Sequence, residues 1–197
     1  MNTIELIRSR RSTRRYKQQE VPEELLETIV EAGRYAPSGS NSQTTHFFVI
    51  TDTKELQDLR ELATKCFSEM EPEEGQYASL AHAIRQSKTG EYNFNYSSPV
   101  LIVTANRKDY GNNYADCACA LENMMLEAND LDLGSCWINQ LRWLNEDPRI
   151  IAKFKEYGMQ EDERIYGALA VGYPDTDSGL PEREPLPRKG NEVTWIR

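Results

Sequence analysis

Apolar and polar positions along the chain fall into blocks that switch between helical and strand periods. In "VPEELLETIVEAGRYAP", Leu25, Leu26, Ile29, Val30 and Gly33 form one stripe at helical spacing. The pattern predicts a helix entered at Pro22, with Glu23 and Glu24 at the positive end of its dipole, that stops before Pro37. Residues 2 to 10 read as a shorter helix before it. The next stretch, "PSGSNSQ", has no period and is rich in turn formers, so it reads as a loop. "HFFVIT" is short, aromatic and β-branched, which predicts a strand.

Asp52 can cap a third helix, with Glu55 three positions on in the manner of a capping box. "PVLIVTA" is apolar at consecutive positions and predicts a strand covered by helices on both faces. Residues 112 to 131 predict a long helix on Tyr114, Ala118, Leu121, Met125 and Ala128, flanked by Ala115, Met124 and Leu131. "GSCWI" and "RIYGALAVGYP" read as two more strands, separated by a polar helical segment beginning near Asn145. Residues 66 to 97 are polar, turn-prone and aromatic in places, and predict a variable region. From Asp175 to Arg197 the chain is polar and rich in Pro and Gly until "EVTWI", which suggests an extended arm pairing with something else, such as a second subunit. With no internal repeat and no boundary between two cores, residues 1–197 are expected to form one domain, of which 175–197 is the arm.

Composition narrows the chemistry. The chain has 197 residues, 39% of them hydrophobic, which is enough for a core without disulfides or structural metal. Its apolar runs are far shorter than the ~20 residues of a membrane span, and no secretory signal is visible, so a cytoplasmic protein is expected. A net charge of −9 disfavours nucleic acid and anionic lipid as partners. Cys66, Cys117, Cys119 and Cys136 form no C-x-x-C pair, and His46 and His82 fit no metal-ligand spacing. Cys117 and Cys119 would diverge by about 200° on a helix, so buried reduced thiols are expected and no metal site.

Against that acidic background, "RSRRSTRRY" stands out, with arginines at positions 8, 10, 11, 14 and 15. Guanidinium forks with Ser12 and Thr13 suit a phosphate, which arginine binds bidentately; the plain alternative is a solvated basic turn. Arg188 and Lys189 in "PRKG" form a second basic element, and the two could enclose one dianion if the fold brought them together. Gly39 and the small residues of "APSGSNSQ" could let backbone approach a planar ligand, although such residues also make ordinary turns. No Rossmann fingerprint, P-loop, nucleophile elbow or H-E-x-x-H is present. Chemistry carried by a cofactor is the class left standing.

An N-terminal R-R-S-x-R-x-[FY], A-P-S-x-x-N-x-Q before a strand, a P-V-L-I-V strand, G-S-C-W-I, a G-Y-P strand end and a final P-R-K together resemble the nitroreductase family of FMN-dependent flavoproteins. The resemblance runs from about Ile4 to Trp195, leaving 66 to 97 unmatched. It implies an α+β fold, a three-layer α/β/α arrangement with a central, mostly antiparallel sheet. It also implies an intertwined homodimer with FMN at the interface and the C-terminal arm exchanged onto the partner.

Carried over residue by residue, the resemblance puts Arg10, Arg11 and Ser12 on the FMN phosphate and ribityl chain, and Arg14 near the pyrimidine end of the flavin. Arg188, with Lys189, matches a C-terminal phosphate clamp, while Arg8 and Arg15 are left as surface arginines. Pro37, Ser38, Gly39, Asn41 and Gln43 match a loop that reaches the flavin from the partner subunit; Thr44 and Thr45 depart from the proline and tryptophan often found next. Asn139 and Gln140 occupy positions whose backbone lies close to flavin N5. The implied reaction is a ping-pong hydride transfer from NADH or NADPH, through the flavin, to an electron-poor small molecule such as a nitroaromatic or quinone. No protein side chain is implied as indispensable to it. Phe67, Tyr77, Tyr92, Phe94 and Tyr96 are candidates for the acceptor's wall, although aromatics at a dimer interface look the same in sequence. A flavin-binding sensor with little turnover, or a specialised flavoenzyme such as a reductive dehalogenase, are the alternatives on the same fold.

Overall fold

A computed structural model describes residues 2–90 and 92–197. The elements run α1 (Thr3–Ser9), α2 (Glu23–Arg34), a 3-10 turn (Gly39–Asn41), β1 (His46–Ile50), α3 (Thr53–Ser68), α4 (Ala78–Ser87), β2 (Val100–Arg107), α5 (Asn113–Asp130), β3 (Gly134–Ile138), α6 (Gln140–Trp143), α7 (Pro148–Glu156) and β4 (Glu163–Gly172). The strands form one sheet in the order β1-β2-β4-β3, and every neighbouring pair is antiparallel.

Strand β2 explains the layering. Successive side chains of a strand point to opposite faces, and in "VLIV" they enter two different cores. Leu101, Val103 and Ala105 pack with Leu59, Phe67, Ile84 and Phe154 of α3, α4 and α7. Val100 and Ile102 pack with Ile29, Leu121 and Met124 of α2 and α5. The unbroken apolar run therefore reflects burial on both faces, as expected, giving three layers of helix, sheet and helix. Among the described residues no helix is long and apolar enough to cross a membrane.

Four details differ from the sequence expectations. Asp52 does cap α3, accepting from the Glu55 N–H at 2.9 Å. Glu55 does not close the box; its carboxylate instead meets Lys153 Nζ at 2.7 Å and the Tyr157 hydroxyl, tying α3 to α7. The buried stripe of α5 passes through Cys117, Ala120, Leu121, Met124, Met125 and Ala128, leaving Tyr114 exposed beneath the Arg142 guanidinium. In the first turns of that helix the buried side includes Asp116, a polar residue. The polar helix expected near Asn145 begins at Pro148, capped by Asp147, and a one-turn helix at Gln140 precedes it. Finally, Cys119 is exposed, whereas Cys66, Cys117 and Cys136 are buried free thiols.

The region expected to vary, 66 to 97, contains the end of α3, all of α4 and a turn-rich return to β2. Phe67 and Phe94 are core residues there, 0% and 1% exposed, so neither can form the wall of an open site. Beyond β4 the chain forms no helix or strand. Pro181 is buried and Arg183 donates to the Asn129 carbonyl and to Asp132, but residues 184–197 are exposed. Among the described residues "EVTWI" joins no strand, and Trp195 is 74% and Ile196 96% exposed.

Candidate functional site

The arginine-rich segment runs alongside the outer edge of the sheet. Ser12 bridges Ser135 at the start of β3, and the Thr13 N–H donates to the Ser135 carbonyl at 2.8 Å. Four residues on, the buried Tyr16 hydroxyl donates to the Thr13 carbonyl at 2.7 Å, and Tyr16 bridges Pro174. This register requires a glycine opposite Thr13: a Cβ at Gly134 would lie 2.6 Å from Thr13 Cγ2. The close approach leaves Ser12 and Arg14 exposed and Arg10 half-buried along β3.

Cys136 of β3 feels these side chains. Burial pushes its thiol pKa up, while Arg14, Ser12 and, more weakly, Arg10 pull it back. Glu122 is the carboxylate paired there, 3.7 Å from Arg10 Nε, and it is half-exposed. Such an exposed pair contributes little, about 0–1 kcal/mol, so Arg10 remains available to an anionic ligand.

Arg11 and Arg14 differ in their surroundings. Arg11 is engaged by the C-terminal segment, its Nη1 donating to the Glu184 carbonyl at 2.6 Å and to Glu182 at 3.2 Å. Arg14 lies over Tyr96, 5.9 Å from the ring centroid. Desolvation works against its charge, but the neighbouring Tyr96, Cys136 and Tyr16 outweigh that, so its pKa is raised. Arg8 and Arg15 are exposed.

At the far end of β3, Asn139 and Gln140 begin α6. Strands rise about 3.4 Å per residue, so Ser135 and Asn139 are about 13 Å apart. The Asn139 side chain turns back to accept from Trp137 Nε1 at 2.9 Å, and Gln140 Nε2 donates to the Tyr92 hydroxyl at 2.7 Å. Burial pushes the Tyr92 pKa up to about 12, with the Gln140 bond opposing it. Tyr77 packs edge-on against Trp143. Three aromatics of the segment without a sequence match, Tyr77, Tyr92 and Tyr96, therefore border this face.

The loop Pro37 to Gln43 lies elsewhere in the chain, against the first turn of α5. The Asp116 carboxylate accepts from the Gly39 N–H at 3.2 and 3.4 Å, and the Tyr110 hydroxyl lies 3.0 Å from Asp116 and 3.1 Å from the Gly39 carbonyl. A Cβ on Gly39 would meet Asn112 Nδ2 at 2.1 Å and Tyr110 Oη at 2.5 Å. Ser40, Asn41 and Gln43 all have left-handed φ, between 51° and 54°. Left-handed conformations cost roughly 1–2 kcal/mol per residue. Two side-chain hydrogen bonds inside the loop, Gln43 N–H to Ser38 Oγ and Gln43 Nε2 to Asn41 Oδ1, contribute about 1 kcal/mol each. Holding the loop takes its outside partners as well, Asp116 and Tyr110. Neither residue stood out in the sequence.

Among the described residues, the loop makes no hydrogen bond or ion pair to the Arg10–Arg14 segment, and neither do the exposed Arg188 and Lys189. A cleft of about 790 Å³ opens beside α2, β1 and α3, bordered by Gln18, Glu23, Val49 and Arg60, and none of the expected ligand-binding residues lines it. Among the described residues no group of His, Cys, Asp and Glu could hold a metal ion. The donor set along β3, with cationic forks at one end and amide groups with aromatics at the other, fits an elongated ligand carrying a phosphate and a planar ring.

Comparison with known proteins points the same way. The family model described as "Nitroreductase family" matches residues 7–173. A solved nitroreductase with bound FMN from Bacteroides fragilis NCTC 9343 superposes with a TM-score of 0.87 and is 32% identical, all of each chain being covered. An FMN reductase (NADPH) of Bacillus subtilis (strain 168) is 28% identical, over 98% of this chain and 74% of its own. A nitrobenzene nitroreductase of Ectopseudomonas oleovorans is 25% identical, over 91% of this chain and 89% of its own.

Proposed function

The chain belongs to the nitroreductase family, and we propose that it is an FMN-dependent enzyme that passes a hydride from NADH or NADPH to an electron-poor small molecule such as a nitroaromatic or quinone. The observation that carries this reading is the seating of the Arg10–Arg14 segment on β3 through the Ser12–Ser135 bridge and the Thr13–Ser135 hydrogen bond, with Asn139 and Gln140 at the other end of the same strand. When bound, FMN supplies the redox chemistry, accepting and donating a hydride at N5.

The chain's own residues then bind and orient. Arg10 and Ser12 would hold the phosphate, joined by Arg188 and Lys189 of the arm. Arg11, already fixed by the Glu184 carbonyl, would contribute through the segment it tethers. Arg14 would place its charge near N1 and C2=O of the flavin, where negative charge gathers on reduction. The backbone at Asn139 and Gln140 would lie near N5, its course fixed by the bonds of their side chains to Trp137 and Tyr92.

The separation of loop 37–43 from Arg10–Arg14 within one chain supports a homodimer in which each loop serves the partner's flavin. The exposed Trp195 and Ile196 support exchange of the arm. A cytoplasmic location goes with this reading.

Because both substrates would stack on one flavin face in turn, initial rates with NADPH and a nitroaromatic should give parallel double-reciprocal lines. Intersecting lines would rule out the shared-site scheme. Flavin that binds without turnover would favour a sensor instead.

A further inference from the structure

The side chain that holds loop 37–43 from outside has no place in the scheme above. Asp116 is 6% exposed and lies in the first turn of α5. It accepts from the Gly39 N–H, and Tyr110 reaches both this carboxylate and the Gly39 carbonyl while accepting from Ser42 Oγ at 3.1 Å. The other backbone hydrogen bonds of the loop, Asn41 N–H to the Ser38 carbonyl and Ser42 N–H to the Gly39 carbonyl, are internal. The loop is mostly exposed, and three of its non-glycine residues are left-handed. It has neither a core of its own nor a relaxed backbone to define its shape, so Asp116 and Tyr110 set it.

We infer that Asp116, seconded by Tyr110, is a positioning residue for flavin binding: it holds the loop in the conformation that meets the isoalloxazine, without touching the flavin. This rests on the reading of residues 37–43 as a flavin contact. Asp116 would therefore act on the ring end of the ligand, whereas Arg10 acts on the phosphate.

Riboflavin, which lacks the phosphate, separates the two roles. Loss of a hydrogen bond to a charged group costs enough to weaken binding about tenfold or more. In fluorescence titrations, Asp116→Ala should weaken FMN and riboflavin by the same factor of about ten. Arg10→Ala should weaken FMN alone. Asp116→Asn keeps an acceptor for the Gly39 N–H and should recover most of the loss for both flavins, a rescue that general loosening of the fold would not give.

A folded Asp116→Ala variant that binds both flavins as wild type does, or that loses FMN affinity only, overturns the inference and leaves the flavin reading intact. If Asp116→Ala does not fold, Tyr110→Phe takes its place: equal weakening of both flavins supports the inference and unchanged riboflavin affinity overturns it. A wild-type protein that binds neither flavin overturns both readings.

Discussion

The Arg14 guanidinium lies over the Tyr96 ring, 5.9 Å from its centre. One residue belongs to the N-terminal arginine motif, the other to the turn-rich return between α4 and β2. Tyr96 and Ser97 are both left-handed, with φ of 57° and 54°, and Asn93 braces them by accepting from the Ser97 N–H at 3.1 Å. Removing the ring should free Arg14 to wander. Tyr96→Leu is expected to slow anaerobic flavin reduction by NAD(P)H about fivefold, the equivalent of about 1 kcal/mol. Stopped-flow absorbance measures it.

The proposed phosphate clamp would join opposite ends of the chain. Arg10→Ala combined with Arg188→Ala should raise the Kd for FMN about a hundredfold, since each removes a charge-assisted contact. Arg8→Ala, at an exposed arginine outside the clamp, should change it less than about twofold. Equal losses in the two variants, measured by equilibrium dialysis, would count against the clamp.

The contact of Thr13 with Gly134 holds the arginine segment on the sheet. Gly134→Ala places a methyl group 2.6 Å from Thr13 Cγ2 and must push the segment outward. Overpacking of this kind costs about 1–3 kcal/mol. A lower Tm by a few degrees is expected, together with weaker FMN retention, because Ser12 adjoins the displaced residue; calorimetry and flavin release on dilution report the two effects.

Asp147 caps α7 by accepting from the Arg149 N–H at 2.9 Å and also meets the Arg149 guanidinium at 2.7 Å. The Arg149 side-chain bonds hold its carboxyl down at about 2, below the ordinary 3.8. A depressed acid contributes stability that is complete above its unfolded pKa and lost as pH falls through the folded one. Wild type should therefore exceed Asp147→Asn in urea midpoint above pH 4, and the gap should close between about pH 4 and pH 2.

Much of the architecture was legible because burial leaves direct marks on sequence. The stripe of α2 and the unbroken apolar run of β2 each report which faces are covered. That run did not report strand direction, since antiparallel strands buried on both faces look the same as parallel ones. In α5 the apolar count favoured Tyr114 and Ala118, yet the buried side turns through Asp116 and Cys117 because a carboxylate with fixed partners can be buried as firmly as a methyl group. At the site, motifs named Arg10, Ser12 and Arg14, but the tethering of Arg11 to residue 184 and the seat of Gly39 on Tyr110 are contacts over 173 and 71 positions, which no local pattern encodes.

The arm's role is separable from its anchor. Ending the chain after Glu184 keeps the contacts of Arg11 and Arg183 but removes Val193, Trp195 and Ile196, all of them exposed. Sedimentation velocity should show the full chain as a dimer and the truncated chain shifted toward monomer, with lower flavin content. A dimer unchanged by truncation would argue against arm exchange.

One redox event is central to the proposed function. The protein, loaded with FMN and freed of oxygen, is mixed with NADH or NADPH while its visible spectrum is recorded. Rapid bleaching of the flavin band by at least one nucleotide, and recovery of the band on adding a nitroaromatic or quinone, is the predicted result; a protein that takes up no FMN, or whose bound FMN neither nucleotide bleaches, would contradict it.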